Sequence, residues 1–202
     1  MTAQRYQAIF DWFRARPAAL RALGYAQKIS VLGVYLVYGA VLAVTLWQRS
    51  GQFWRVLAVP AAVYVLGTLL RATINRPRPY EALNFTPLFP KDTKGQSMPS
   101  RHCFSAAAIA GTAWYVLPPL GAVLAVLGVL IAISRVVTGV HYISDVLAGL
   151  AFGRLRLFRP DAESVQSGQD VVDLHRAVGV KSRFIVERTV HQRHDEPHDP
   201  EP

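Results

Sequence analysis

The chain has 202 residues, of which 51% are hydrophobic and only 17% are charged, and its mean hydropathy is +0.22. This composition is too apolar for an ordinary soluble domain, and the length is sufficient for one compact bundle. The formal net charge of +9 would suit nucleic-acid binding, but many of the cations flank apolar segments, where lipid head groups also select them. We therefore expect an integral membrane protein that does not bind nucleic acid.

The N-terminal segment, residues 1–28, mixes aromatic and aliphatic side chains with arginines. Phe10, Trp12 and Phe13, for example, alternate with Arg14 and Arg16. This mixture predicts an amphipathic helix that lies in the membrane interface, with its arginines at the head groups. Because the charges interrupt any apolar core, the segment is a poor signal peptide.

Residues 29–158 are predicted to form the membrane-embedded domain. Its apolar segments are residues 29–47, 53–70, 100–117, 120–133 and 142–158. The first two carry almost no charge and approach the roughly 20 residues that a helix needs to cross the hydrocarbon core. The later three are somewhat short, and Pro118 and Pro119 separate two of them because proline breaks a helix. The sequence therefore predicts an all-α, polytopic membrane helical bundle of about five spans.

The C-terminal segment, residues 159–202, is polar and ends in a proline-rich, acidic stretch, which predicts a mostly disordered tail outside the membrane. His191, His194 and His198 have a spacing that could hold a metal, but no cysteine supports them and their neighbours favour solvation. The single cysteine, Cys103, is predicted to be a buried apolar residue.

Arginines cluster after the second apolar segment. Arg71 ends it, and six residues separate it from Arg78, with Pro79 next in the chain. Guanidinium groups bind phosphate oxygens through paired, charge-assisted hydrogen bonds, so Arg71 and Arg78 are candidate phosphate ligands. Arg76, considered alone, is expected to extend to lipid phosphates at the membrane surface.

The sequence Pro99-Ser100-Arg101-His102 is typical of a helix start, since proline is tolerated in the first turn and serine can cap it. Backbone amides at a helix start attract anions. A phosphate would therefore rest on the amides near Arg101, with the Ser100 hydroxyl donating to it and His102 beside the leaving group.

A third polar group follows the fourth apolar segment. Ser134 and Arg135 close that segment, and His141 and Asp145 follow. Four residues along a helix separate side chains on one face, so Asp145 could hold one ring nitrogen of His141 while the other faces a substrate. A His–Asp pair at this spacing is also often a plain structural hydrogen bond.

The three groups, in this order and spacing, closely resemble the type 2 phosphatidic acid phosphatase superfamily, a helical-bundle family that includes vanadium haloperoxidases and glucose-6-phosphatase. The family pattern is Lys, six residues, Arg-Pro; then Pro-Ser-Gly-His; then Ser-Arg, five residues, His, three residues, Asp. The resemblance implies that His141 is the nucleophile, that Asp145 orients it and that His102 is the general acid. It assigns phosphate binding to Arg71, Arg78, Ser100, Arg101 and Arg135. It also implies a phosphohistidine that water hydrolyses, with no metal or cofactor.

Two positions depart from the family pattern: Arg71 stands where lysine is common, and Arg101 replaces the glycine. An inactive lipid-phosphate-binding protein is therefore an alternative, and a vanadate-dependent haloperoxidase is a second. The expected function is hydrolysis of a lipid phosphate or a polyprenyl diphosphate, but no residue selects among these substrates or indicates an oligomeric state.

The sequence supports two predictions for the side of the membrane that the site faces. The cations on the side of the polar groups outnumber those on the other side, which by the positive-inside rule would place the site in the cytoplasm. Several of these cations are expected to bind substrate, however, and the resemblance implies an extracytoplasmic site in a bacterial plasma membrane, which is the reading we favour.

Overall fold

The computed structural model describes residues 2–154, which contain helices and no strand. The helices are α1 (Ala3–Arg14), α2 (Pro17–Trp47), α3 (Gln52–Ile74), α4 (Pro79–Ala82), α5 (Arg101–Val116), α6 (Pro118–Val137) and α7 (Ile143–Gly153). The prediction of an all-α membrane bundle is confirmed. The predicted tail, with its three histidines, lies outside the described residues, as does the C-terminal end of the fifth predicted span.

Three segments of the described chain are long and apolar enough to cross a membrane: α2, residues 52–82 around α3, and α6. The other two predicted spans correspond to α5 and α7, which have 16 and 11 residues in the structure. Both are shorter than the roughly 20 residues of a full crossing. The bundle thus combines three long helices with two short ones that begin at the polar groups.

Helix α2 begins at Pro17 rather than near residue 29, where the first apolar segment was expected to start. Proline suits a first turn because its missing N–H would have no helical partner there. No helix-breaking residue follows before Trp47, so the helix runs for 31 residues. That is more than one crossing requires, and the N-terminal part of α2 can extend past the hydrocarbon layer.

Helix α5 lies at the centre of the bundle and packs against α3, α6 and α7, while α2 packs on α6. The largest buried cluster consists of Val34, Val41, Val56, Ile109, Ala110, Ala113, Val116, Leu124 and Ile131. Many large apolar side chains point away from this core, including Leu36, Trp47 and Trp54. Helices that are apolar on both their inner and outer faces are typical of a membrane environment.

Glycines let α7 approach α5 closely. A Cβ added at Gly149 would lie 2.8 Å from the carbonyl oxygen of Ser100 and 3.0 Å from the Cβ of Cys103. The amide of Ser100 donates a 2.9 Å hydrogen bond to the backbone carbonyl of Asp145. This contact fixes the start of α5 against the first turn of α7, which joins two of the three polar groups.

We predict that Gly149→Ala lowers the free energy of unfolding by about 1–3 kcal/mol, because the added methyl group overpacks the contact between α7 and α5. Chemical unfolding of the purified protein in detergent micelles measures this change. The matched control is Gly111→Ala, where an added Cβ meets nothing within 4 Å and which should be neutral or slightly stabilising. Equal stability of the two variants would contradict the close packing.

Candidate active site

The three polar groups meet at one end of the bundle, where α3 and α6 end and where α4, α5 and α7 begin. Backbone contacts join them: Arg71 reaches the carbonyl of Pro99, Arg78 that of Val140, and Ser100 that of Asp145. The predicted site residues therefore surround one region, although they come from positions far apart in the chain.

Arg71 and Arg78 are buried, and backbone carbonyls hold both guanidinium groups. Arg71 Nη1 donates to the oxygen of Pro99 at 3.0 Å, and its Nη2 donates to the oxygen of Gln96. Arg78 Nε donates to the oxygen of Gly95 at 3.0 Å. In the described part of the chain, neither guanidinium has a carboxylate within ion-pair distance. Buried cations that contact only neutral dipoles retain a strong preference for an anion.

The loop before α5 is shaped to present those carbonyls. Gly95 and Gln96 both have positive φ, at +61° and +50°, so two successive carbonyls turn toward Arg78 and Arg71. Glycine adopts this conformation without steric cost, and a Cβ at Gly95 would also lie 2.5 Å from Oδ1 of Asn75. The turn thereby fixes the spacing between the two arginines.

Ser100 and Arg135 bring hydrogen-bonding groups that have no partner within the described residues. Ser100 is the N-cap residue of α5 by position, but its hydroxyl makes no capping bond and its buried Oγ is unpaired. The Nε of Arg135 is likewise buried and unpaired. Buried polar atoms are nearly always hydrogen-bonded, so these two groups are available to a ligand. Arg101, the first residue of α5, is exposed beside them.

His102 and Arg135 line one end of a cavity of about 430 Å³. Its remaining wall comes from α2: Gln27, Lys28, Val31, Leu32 and Tyr35. This wall changes from polar to apolar along the helix. His102 is half-buried and lies within electrostatic reach of His141 and Arg101. The cavity therefore leads from the polar groups onto an apolar helix face.

His141 is only 3% exposed and lies in the loop before α7. Burial lowers the pKa of its imidazole, and the nearby carboxylate of Asp145 acts in the opposite direction. An imidazole that is neutral at pH 7 can act as a nucleophile through its unprotonated nitrogen.

His141 and Asp145 lie within ion-pair distance of each other, but not on the common helix face that their spacing predicted. Because α7 begins at Ile143, His141 does not share a helix face with Asp145. Its Nδ1 is 3.7 Å from Oδ2 of Asp145, beyond hydrogen-bond distance, and 3.4 Å from Oγ of Ser97. The serine hydroxyl thus lies beside both residues and contacts each of them.

Asp145 is completely buried, and both of its oxygens are occupied. Arg76 Nη1 donates to Oδ1 at 2.8 Å. Ser97 Oγ donates to Oδ2 at 2.5 Å, and the backbone amide of Tyr142 donates to Oδ2 at 2.9 Å. The guanidinium of Arg76 also lies 4.3 Å from the centre of the Tyr142 ring, which is a cation–π geometry.

Sequence reasoning missed the roles of Ser97 and Arg76. Arg76 was expected to extend to lipid phosphates, but it pairs with Asp145 instead. The sequence held one clue to the role of Arg76. A buried carboxylate requires a cation, and the other two arginines of the cluster had already been assigned to phosphate. No spacing rule connects Ser97 to His141 or Asp145.

Known proteins share both the sequence pattern and the fold. A family model described as "PAP2 superfamily" matches residues 52–158. A lipid A 1-phosphatase of Rhizobium johnstonii is 33% identical over 158 residues, which are 73% of this chain and 56% of that protein. A lipid A 1-phosphatase of Rhizobium etli is 34% identical over 94 residues, 44% of this chain and 40% of that protein. The chain thus spans about half the length of these relatives.

Two solved structures resemble this one. The crystal structure of Aquifex aeolicus LpxE aligns with a TM-score of 0.58 and 25% identity, over 75% of this chain and 89% of that one. The PAP2-type phosphatidylglycerolphosphate phosphatase of Bacillus subtilis aligns with a TM-score of 0.52 and 21% identity, over 91% and 90% of the two chains. The second similarity concerns the fold alone. Because the family match covers more than half of the sequence and includes all three polar groups, the chain belongs to the PAP2 superfamily.

Proposed function

We propose that the protein is an integral-membrane phosphatase that hydrolyses a lipid phosphate through a phosphohistidine at His141. The observation that carries this proposal is the pair of buried guanidinium groups, Arg71 and Arg78, which lack a carboxylate partner beside a buried imidazole. A phosphate bound there would complete the hydrogen bonds of these cations and lie next to the nucleophile.

Phosphate binding would use the two unpaired donors of the site, on Ser100 and Arg135, together with the buried arginines. Arg71, Arg78 and Arg135 supply fixed positive charge, and the free hydroxyl of Ser100 supplies a neutral donor. Amides of the first turn of α5, from Arg101 onward, add partial positive charge. Donors fixed in place around a transferring phosphoryl group stabilise its charge in the transition state without reorganisation. Three guanidiniums thus provide the charge that metal ions supply in other phosphatases, and the proposed reaction is metal-independent.

The reaction would proceed in two steps. Nε2 of His141 attacks phosphorus, the bond from phosphorus to the lipid oxygen breaks, and His102 donates its proton to that oxygen. Water then attacks the phosphohistidine while His102 accepts a proton from it, which releases inorganic phosphate and regenerates both histidines. Asp145 acts as a positioning residue through the orientation of His141.

The cavity beside His102 supports a lipid as the substrate. A leaving group at His102 would continue past Gln27 and Lys28 toward Val31, Leu32 and Tyr35 on the outer face of α2. A polar head next to the phosphate followed by an acyl chain matches this change from polar to apolar. Two relatives bear the name lipid A 1-phosphatase, so a phosphorylated glycolipid of that kind is the first substrate to test.

We predict that His141→Ala lowers the rate of phosphate release from lipid phosphates by on the order of 10⁴-fold or more, because the nucleophile is lost. Malachite-green assays on detergent-purified protein, with lipid A 1-phosphate, phosphatidic acid and a polyprenyl diphosphate as substrates, measure the rate. Wild-type protein quenched during turnover of ³²P-labelled substrate should carry an acid-labile, alkali-stable label that the variant lacks.

The same assay contains the outcomes that would contradict the proposal. A label on the His141→Ala variant would remove His141 as the nucleophile, and loss of wild-type activity on addition of a chelator would refute metal independence. Halide oxidation with added vanadate in place of phosphate release would favour the haloperoxidase alternative.

Asp145→Asn should shift the acid limb of the pH profile of kcat/KM to lower pH while it reduces kcat. The carboxylate raises the pKa of His141 against the effect of burial, so its removal leaves the imidazole neutral to a lower pH. Wild type and variant are assayed on the same substrate, so ionisation of the substrate's phosphate affects both pH profiles equally and does not contribute to the shift. A shift of the limb to higher pH would contradict this electrostatic relation.

We further propose that the site faces the extracytoplasmic side. Arg71, Arg76 and Arg78 make their hydrogen bonds to groups within the proposed site. These cations therefore count for less when the positive-inside rule is applied. Cys103 is buried, so single cysteines can be introduced without its removal. In intact bacterial cells, a membrane-impermeant maleimide should label Lys94→Cys in the loop before α5 and leave Gly51→Cys, between α2 and α3, unlabelled. The reverse pattern would place the site in the cytoplasm.

A further inference from the structure

Ser97 contacts both of the residues that sequence reasoning had paired directly. Its side chain is completely buried, with Oγ 2.5 Å from Oδ2 of Asp145 and 3.4 Å from Nδ1 of His141. Its backbone amide donates a 2.8 Å hydrogen bond to the carbonyl of Arg76. The hydroxyl is therefore held in position by its own backbone as well as by the carboxylate.

A count of hydrogens fixes the direction of these bonds. An ionised carboxylate only accepts hydrogen bonds, and the one hydrogen of the serine hydroxyl points to Oδ2 of Asp145 at the shorter distance. Only lone pairs of Ser97 Oγ then remain toward His141. The imidazole must therefore present Nδ1–H to the serine, which leaves Nε2 without a hydrogen.

We propose that Ser97 is a positioning residue that transmits the orientation of Asp145 to His141, and that Arg76 anchors the opposite oxygen of the same carboxylate. The chain of contacts runs from Arg76 Nη1 through Asp145 and Ser97 Oγ to Nδ1 of His141. Its catalytic consequence rests on the proposed function, in which Nε2 of His141 attacks phosphorus. Its structural content, one fixed tautomer of a buried imidazole, stands independently of any activity.

The competing possibility is a direct bond between Asp145 and His141, with Ser97 as a space-filling residue. Under that alternative, the 3.7 Å separation closes during catalysis, and removal of the serine hydroxyl leaves both the tautomer and the rate unchanged. The two possibilities therefore give opposite results for one variant.

The kinetic test compares Ser97→Ala with Ser97→Thr, which keeps the hydroxyl, and with Ser144→Ala as the matched control. Ser144 also accepts a 2.8 Å hydrogen bond from Arg76 Nη1, but it is exposed and has no contact with His141. Ser97→Ala should reduce kcat by about 10- to 100-fold with KM changed less than about twofold, since a misoriented nucleophile affects the reaction step rather than binding. Ser97→Thr should recover much of the loss, and Ser144→Ala should match wild type. Wild-type kcat in Ser97→Ala would overturn the proposal.

The spectroscopic test uses full-length protein with ¹⁵N-labelled histidine in detergent micelles, with the His141 signals assigned by their absence in His141→Asn. We expect the Nδ1–H tautomer in wild type and a mixture of tautomers in Ser97→Ala. An Nε2–H tautomer in wild type, or an unchanged tautomer in Ser97→Ala, would overturn the proposal. An Nε2–H tautomer in wild type overturns the proposal even if Ser97→Ala does not fold, and in that case the kinetics of Ser97→Thr test the role of the hydroxyl. If wild type releases no phosphate from any lipid phosphate, the proposed function fails while the tautomer still tests the role of Ser97.

Discussion

The buried carboxylate of Asp145 is the interaction on which the geometry of the site depends. An ionised carboxylate removed from water costs several kcal/mol unless hydrogen bonds and a cation replace its hydration. Here the replacements come from the segment after α3, the loop before α5 and the first turn of α7, through Arg76, Ser97 and Tyr142. Any rearrangement of these segments would leave the charge unsatisfied. The carboxylate beside His141 thus fixes three segments of the site in relation to one another.

The side of the site that is proposed to bind phosphate differs, because its buried polar groups are not neutralised. Arg71 and Arg78 are buried with neutral carbonyl oxygens as their partners, and Ser100 and Arg135 each have an unpaired buried atom. A stability-optimised interior would neutralise such groups, and the structure does so for Asp145 but not for these cations. The contrast separates the two parts of the site. The orienting part is complete without a ligand, whereas the binding part retains hydrogen-bonding capacity for an anion.

Sequence reasoning could propose a site because membrane composition makes polar residues conspicuous. A cation, hydroxyl or imidazole at the end of an apolar helix has few neutral explanations, so Arg71, His102 and His141 could be recognised individually. The same reasoning placed the start of the first spanning helix incorrectly, because it took the first apolar residues as the start of the helix. The helix begins at Pro17 and includes polar turns before those residues. It also treated His141 and Asp145 as one helical pair, because spacing alone does not reveal that α7 begins between them.

Ser97 illustrates a different limit of the sequence. Its role depends on the direction of one hydroxyl in a loop where Gly95 and Gln96 adopt left-handed conformations, and no periodicity encodes that direction. Arg76 was accessible in principle, since the burial of Asp145 requires a nearby cation, but only after that burial is known. Long-range contacts between side chains in loops were therefore beyond prediction, whereas the candidate site residues could be named from the sequence.

The backbone at position 101 accommodates arginine in place of the family's glycine. Arg101 is the first residue of α5 and is absent from the residues with positive φ, so this position does not require the conformational freedom of glycine. Its amide keeps the direction that a helix start imposes, whichever side chain is present. The exposed guanidinium adds a cation within electrostatic reach of Arg71 and His102. A side chain that leaves the amides in place and adds positive charge at the rim argues against a decayed site.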